Sequence, residues 1–369
     1  RRLERFVDAE SPAALSPTAF FRYVACPLRF YFHSVARLEA DDEISEEVDA
    51  PMFGTILHAA VQTLYARIVG EEHPGQTLQA MIRSGEAAAA VERAINENYL
   101  QDERASAEDY TGNLLLVKDI VTRYLRGGVM PYDAAHDAFA VSGLEERVAY
   151  SFPFRAGERE LEMKFGGIAD RIDTLGDGAL RVVDYKTGGK EFKLKEVYCG
   201  LDCQMLLYLF TLERNAKRQF PGATAAGVEY LLADPAPKSV DRSELGDDAD
   251  PAPTYPMNGL LLDEESIYRA MDTKGTGEFV PLSFSAKTGK PLNAKRTLAD
   301  TAKLGRIRDH LDGLLIDMAK NLYSGRIDAE PLCTGGRSPC TYCEFRCACT
   351  HRDGEHERTI NIKDDPFAE

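Results

Sequence analysis

Asp170, Asp184 and Lys186 have the types and spacing for metal-assisted chemistry on a phosphate. Asp184 and Lys186 stand in Val-Val-Asp-Tyr-Lys-Thr-Gly, and Asp170 lies fourteen residues upstream in Gly-Gly-Ile-Ala-Asp-Arg-Ile-Asp. Side chains alternate along a strand, so Asp184 and Lys186 project from one face while Tyr185 points away and leaves its carbonyl oxygen available. Two carboxylates and a carbonyl suit Mg²⁺ or Mn²⁺, hard cations that take oxygen ligands and retain several waters. An ammonium beside such an ion orients water and stabilises charge developing on phosphorus. A bare Asp-x-Lys is short and common, and by itself reads better as an ion pair on a solvated strand edge. The composite of both stretches, joined by a glycine turn, is far rarer by chance.

The elements that must position these groups form a hairpin. Its first arm is expected over 160–175, the turn at Gly176-Asp177-Gly178, where glycine tolerates positive φ, and the second arm over 179–186. A strand over 143–154 precedes it. A helix over 201–220 follows, with Gln204 and Tyr208 four residues apart on one face, and then a buried strand over 226–232. The sequence therefore predicts a β-β-α-β run. Upstream, Phe53-Gly-Thr-Ile-Leu-His58 opens a helix to about Val69 whose apolar face is Phe53, Ile56, Leu57, Ala60, Val61 and Leu64. His58 sits beside that face, where a lone histidine is usually a core or capping residue.

Cysteines form a second constellation. Of eight, five fall in the last forty residues: Cys333, Cys340, Cys343, Cys347 and Cys349. Such clustering, in a chain expected to be cytoplasmic, points to metal rather than to disulfides. Cys340-x2-Cys343-x5-Cys349 supplies three thiolates and Cys26 a fourth, with Cys347 as a rival to Cys349. Spacing alone fits tetrahedral zinc or an iron-sulfur cluster equally. Cys199, Cys203 and Cys333 read as ordinary cysteines.

These motifs, spread from Ser16 to His351, resemble the RecB-like branch of the PD-(D/E)xK nucleases, and within it the C-terminal nuclease part of AddB-type subunits of bacterial helicase-nucleases. The resemblance implies an α/β fold with a restriction-endonuclease-like mixed sheet of about four or five strands, flanked by helices. A helical insertion enlarges it, and a cysteine cluster staples its N- and C-terminal parts. The implied activity is a Mg²⁺- or Mn²⁺-dependent DNA exonuclease acting with an ATP-dependent helicase partner in double-strand-break repair and recombination. In-line attack of water on a phosphodiester is the implied reaction. His58 matches the family's Gly-x-x-x-His, so the implied metal ligands are His58, Asp170, Asp184 and the Tyr185 carbonyl. Gln204 and Tyr208 match Gln-x-x-x-Tyr, with roles in positioning Lys186 and contacting DNA. Cys26-Pro27, followed by Phe30 and Phe32, resembles the family's first cluster motif. It implies a [4Fe-4S] cluster on Cys26, Cys340, Cys343 and Cys349 in preference to Zn²⁺. A catalytically weak DNA-binding scaffold subunit, or a zinc-stabilised binding module, are the competing readings.

Six segments are expected: N-terminal helices over 1–50, the His58 helix over 51–70, the insertion over 71–142, the nuclease core over 143–234, a loop, small β element and long helix over 235–325, and the cysteine tail over 326–369. Ser16-Pro17 is a helix start leading into 18–25, with a second, aromatic helix over 28–38. Residues 41–49 read as an acidic linker. Residues 76–140 are expected to be mostly helical, with breaks near Gly112, Gly127-Gly128 and Pro131. Residues 234–257 read as an exposed loop or flap, 259–262 and 279–284 as a small β element around a helix over 263–271, and 296–323 as a long helix.

At 369 residues, 44% hydrophobic and 28% charged, the chain has the composition of a globular protein with a large core. It starts at Arg1 rather than Met, so a fragment of a longer protein is expected. With no apolar run of membrane-spanning length and no leader-like start, a cytoplasmic location and no membrane partner are expected. A net charge of −16 argues against a broad electrostatic footprint for nucleic acid, so weak DNA affinity is expected unless a partner adds to it. Gly188-Gly189-Lys190 and Gly289-Lys290 lack the rest of a phosphate-binding loop, which leaves ATP-driven movement to another chain or segment.

Overall fold

Three long strands and the turn glycines between them set the frame. In the computed structural model, β1 (Phe139–Ala156), β2 (Arg159–Leu175) and β3 (Ala179–Lys186) run as an antiparallel meander. The second turn places Gly176 at φ 41° and Gly178 at φ 88°, which glycine adopts without strain. β4 (Thr224–Leu232) then lies parallel to β3, and β5 (Gly259–Leu262) antiparallel to β4. Two short strands, β6 (Ser283–Phe284) and β7 (Pro291–Leu292), pair apart from the sheet, and β8 (Leu298–Ala299) returns to it beside β5. The sheet is mixed, with six strands in the order β1-β2-β3-β4-β5-β8. β3 is buried throughout except at Lys186, the pattern of a central strand covered on both faces.

The structure describes residues 4–6, 11, 13–38, 48–135, 138–176, 178–232, 258–272, 279–280, 282–285, 287, 290–292, 297–360, 362 and 365–368. The expected flap and most of the acidic linker lie outside these residues, as does Asp177 of the expected turn.

Helices flank the sheet. α1 (Pro17–Ala25) starts as expected, with the Ser16 hydroxyl accepting from the Ala19 N–H at 3.2 Å. The expected aromatic helix is instead a single turn, α2 (Pro27–Phe30), continued by a wide π-turn over Tyr31–Ala36 and stopped by Arg37 in the left-handed region. α3 (Ala50–Tyr65), capped by Asp49, buries Ile56, Leu57, Ala60, Val61, Leu64 and Tyr65. The expected insertion range holds α4 (Gly75–Ser84), α5 (Glu86–Ile95), α6 (Asn113–Tyr124) and α7 (Met130–Ala135). The expected break at Gly127-Gly128 is a π-turn over Leu125–Val129 that feeds directly into α7. Pro131 sits in the first turn of α7, where no backbone donor is needed. The insertion ends before Phe139, earlier than expected, because β1 extends past the predicted strand at both ends.

α8 (Leu194–Tyr198) and α9 (Gln204–Gln219) follow the hairpin, and α9 packs along β3 and β4. α10 (Glu265–Met271) leads to α11 (Thr301–Ser324), whose N-cap is Asp300. Two expectations change here. The 259–262 run is a strand of the main sheet rather than part of a separate element, and with β8 it brings the sheet to six strands. Near the C-terminus β9 (Leu332–Cys333) pairs parallel with β10 (Arg358–Thr359).

The core contains ion pairs that the charge pattern gave no reason to expect. Arg171 and Arg181, fully buried, share Asp173 between them; Arg171 also grips Asp133 of α7, and Arg181 also reaches Glu229 of β4. Tyr65 of α3 donates to Asp133 at 2.6 Å, and the Tyr132 hydroxyl donates to Glu229. Breaking such a network from one side leaves a buried charge unpaired, so its members depend on one another.

Candidate metal centre

Strand register assembles the acidic groups. β2 and β3 pair Arg171 with Val183 and Ile172 with Val182, so the same register carried one step further sets Asp170 across from Asp184. β1 and β2 pair Leu144 with Arg171 and Glu146 with Ala169, which leaves Glu145 across from Asp170 on its other side. Glu145 is held at φ 49°, a left-handed conformation that a non-glycine residue adopts at a local cost.

α3 brings His58 to the same place: its Nδ1 lies 3.4 Å from Asp170 Oδ2. Among the described residues, the ligand atoms of His58, Glu145 and Asp170 are the one set of three or more that lie within 4.8 Å of one another. The Tyr185 N–H approaches Asp170 Oδ2 at 3.4 Å, while its carbonyl faces the His58 imidazole and favours that ring's protonated form.

The electrostatics describe a site short of positive charge. Burial, then repulsion from Asp184 and Glu145, pushes the Asp170 carboxyl up to about 8, against the opposing pull of Lys186 and the Tyr185 N–H. Burial also raises Glu145. Burial lowers His58, with Lys186 adding to the effect, so a neutral imidazole with a free lone pair is favoured. Asp184 Oδ2 is buried and has no hydrogen-bond partner. The Lys186 ammonium lies against that oxygen without hydrogen-bonding geometry, and also sits 5.4 Å from the centre of the Tyr230 ring.

Gln204 and Tyr208 occupy the first turns of α9. The Tyr208 hydroxyl lies near the Ile168 N–H and the Gln204 amide, which oppose the rise that burial causes in it, and so sets α9 against β2 two residues before Asp170. Close approach requires Gly167: a Cβ there would lie 2.2 Å from the Tyr208 hydroxyl oxygen.

Glu145 was not among the residues singled out from sequence. Its signal was a charged run, Glu145-Glu146-Arg147, between more apolar parts of one strand, and only the β1–β2 register gives Glu145 meaning.

Cys26, Cys340, Cys343 and Cys349 line one pocket, together with Phe32 and His351. Cys347 is exposed, and Cys199 and Cys203 are buried elsewhere in the core. No three cysteine thiols converge within 4.8 Å among the described residues. Around the pocket the chain ends already meet. Arg29 pairs with Glu344 at 2.8 Å, the Phe32 and Phe345 rings lie 5.4 Å apart, and the Arg358 guanidinium donates to the Val24 carbonyl.

No helix among the described residues is long and apolar enough to cross a membrane. In sequence comparisons, the chain is 25% identical over 362 residues to an ATP-dependent helicase/deoxyribonuclease subunit from Clostridium perfringens, covering 93% of this chain and 30% of that protein. It is 27% identical over 355 residues to the subunit of the same name from Exiguobacterium sibiricum, covering 90% and 30%. With the Clostridium kluyveri subunit it is 30% identical over 212 residues, covering 54% and 18%. The chain thus spans less than a third of the length of these relatives. The profile of the PD-(D/E)XK nuclease superfamily matches residues 14–350, nearly the whole chain and all of the sheet and site described above, and the chain belongs to that superfamily.

Proposed function

We propose that the chain is a Mg²⁺- or Mn²⁺-dependent deoxyribonuclease, with exonuclease action, and that it forms the nuclease part of a helicase-nuclease for double-strand-break repair and recombination. The observation that carries the reading is a half-buried cluster of three carboxylates, Asp170, Asp184 and Glu145, beside which Lys186 is the one cation whose contact with them is described. Asp170 is pushed up to about 8, Asp184 Oδ2 has its charge contact with Lys186 but no hydrogen bond, and Glu145 and a neutral-favoured His58 adjoin them. Such a set is costly without a cation and suits a hard divalent one. Asp170, Asp184, Glu145, His58 and the Tyr185 carbonyl are the groups to hold it. When bound, the ion supplies Lewis acidity toward a phosphate oxygen and eases deprotonation of the attacking water.

The chain's own residues do the rest. Lys186, beside Asp184, supplies positive charge toward the phosphate as negative charge develops there. Gln204 and Tyr208 hold the β2 backbone next to Asp170, fixing where that carboxylate points. For the cysteine pocket we propose a [4Fe-4S] cluster on Cys26, Cys340, Cys343 and Cys349, with Zn²⁺ as the alternative; four cysteines from distant parts of the chain lining one pocket support a thiolate-bound group. Its role is to join the first helices to the C-terminal segment. DNA as substrate and an ATP-dependent helicase as partner are supported by the helicase/deoxyribonuclease names of the relatives.

The net charge of −16 favours a second reading, a DNA-binding scaffold with weak catalysis. Cleavage of end-labelled single- and double-stranded linear DNA, with Mg²⁺ or Mn²⁺, separates the two when the parent is compared with Lys186→Ala. Metal-dependent cleavage that the substitution removes supports the nuclease. Cleavage indifferent to the substitution overturns the assignment of Lys186, and no cleavage by the parent favours the scaffold.

A further inference from the structure

Tyr185 touches the site with its backbone and the core with its side chain. Its N–H reaches Asp170 Oδ2 at 3.4 Å, and its carbonyl faces His58. At the other end of the ring, the Tyr185 hydroxyl accepts from Arg171 Nη1 at 3.0 Å. We propose that Arg171 is a positioning residue of the cation site: it grips the Tyr185 hydroxyl and so fixes the backbone that faces Asp170 and His58. The inference rests on the reading that a divalent cation binds there.

Arg171 is built for holding. It is fully buried, and all five of its N–H groups are used. Nε donates to Asp173 Oδ1 at 2.7 Å and Nη2 to Asp173 Oδ2 at 2.9 Å. Nη1 and Nη2 donate to the two oxygens of Asp133 at 2.6 and 2.9 Å, and the last Nη1 proton goes to Tyr185. Two carboxylates therefore fix the guanidinium plane by bidentate contact, a geometry that lysine cannot reproduce. The Tyr65 ring lies 5.1 Å from the guanidinium carbon, and its hydroxyl donates to Asp133.

Stability alone is a weak reason for this arrangement, because a buried ion network is often replaceable by apolar packing at no loss. Position explains more. Arg171 directly follows Asp170 in β2, Tyr185 directly follows Asp184 in β3, and Tyr65 stands on the helix that carries His58. One guanidinium thus connects three of the four elements that supply the proposed ligands, α3, β2 and β3. Asp133 extends the connection to α7, so the helical insertion buttresses the site from behind. Partners of this kind, which orient ligands without touching the ion, are typically worth ten- to a hundredfold in metal affinity.

The test is Mn²⁺ binding to the full chain, followed by loss of the free-ion EPR signal, for the parent, Asp184→Asn, Tyr185→Phe and Arg171→Lys, with a thermal unfolding midpoint for each. Tyr185→Phe keeps the ring against His58 and removes only the hydroxyl. The expected result is Mn²⁺ affinity weakened about tenfold in Tyr185→Phe with little change in midpoint, and at least as much in Arg171→Lys. If Asp184→Asn abolishes binding but Tyr185→Phe binds as the parent does, the positioning role is overturned while the cation site stands. A lowered midpoint with unchanged affinity overturns it in the same way, as a structural role only. Binding indifferent to Asp184→Asn removes the cation site and this inference with it. Should Arg171→Lys fail to fold, Tyr185→Phe decides alone.

Discussion

His58 Nδ1 and Asp170 Oδ2 lie 3.4 Å apart, yet the surroundings push the two groups away from an ion pair: burial lowers the histidine and raises the aspartate. Two neutral-leaning groups in contact make a weak bond to each other. A cation at the proposed site would displace the Asp170 proton and meet a carboxylate and a neutral imidazole side by side.

Stability of the metal-free chain should therefore fall as the pH rises. Asp170 titrates near 8 in the folded chain and near the usual ~3.9 when unfolded. Between these values the folded state holds a proton that the unfolded state has released. The stability this contributes is complete below about pH 4 and is lost as the pH rises through about 8. Between about pH 6.5 and 8, above the lowered His58, the unfolding midpoint should drop for the parent and stay flatter for Asp170→Asn, and above about pH 8 this contribution is spent. Mg²⁺ should raise the parent midpoint more at the higher pH. A parent midpoint that rises across this window contradicts the assignment.

Asp184→Asn should reduce metal-dependent cleavage by at least about a thousandfold, since the ion supplies several kcal/mol to the transition state. Far-UV circular dichroism should remain that of the parent, because the substitution keeps shape and removes one buried negative charge. Single-turnover cleavage of end-labelled DNA at saturating Mg²⁺ measures the loss.

Glu145→Gln should ease Asp170 downward, as one of the charges that raises it disappears, and should also weaken Mn²⁺ binding by roughly tenfold or more. The Asp170 carboxyl resonance followed by NMR across pH, beside a Mn²⁺ titration, reads both effects. Unchanged values for the two together would remove Glu145 from the site.

Gly167→Ala should cost about 1–3 kcal/mol in chemical denaturation, as a methyl 2.2 Å from the Tyr208 hydroxyl oxygen must displace α9 or β2. Pairing it with Tyr208→Phe, which removes that oxygen, should recover part of the loss.

Cys26→Ser, Cys340→Ser, Cys343→Ser or Cys349→Ser should each abolish the brown absorbance of anaerobically purified protein, whereas Cys347→Ser, at an exposed position, should keep it. A colourless parent with one equivalent of zinc would instead favour the alternative metal.

The hairpin was legible in the sequence nearly to the residue. Alternation of side chains and a two-glycine turn are local signals, and antiparallel pairing about that turn brings Asp170 to Asp184 by counting. Glu145 was not legible, because its place depends on the β1–β2 register across a different turn. The buried charges were hidden for a related reason. Asp133, Arg171, Asp173, Arg181 and Glu229 are scattered over four elements, and each alone reads as a surface residue. Gly-Leu-Leu-Leu over 259–262 announced a strand but not its neighbour, which only the tertiary fold supplies. The π-turns at Tyr31–Ala36 and Leu125–Val129 escaped because their hydrogen bonds span only one residue more than those of an α-helix.

Arg171 has no donor to spare, and Asp173 serves two arginines at once. A single replacement at either position strands a charge in the core, whereas a joint replacement of the whole set need not. Over evolutionary time these positions are therefore expected to drift as a block, so that grafting this hairpin into a distant relative's sheet should succeed only when Asp133 and Glu229 travel with it.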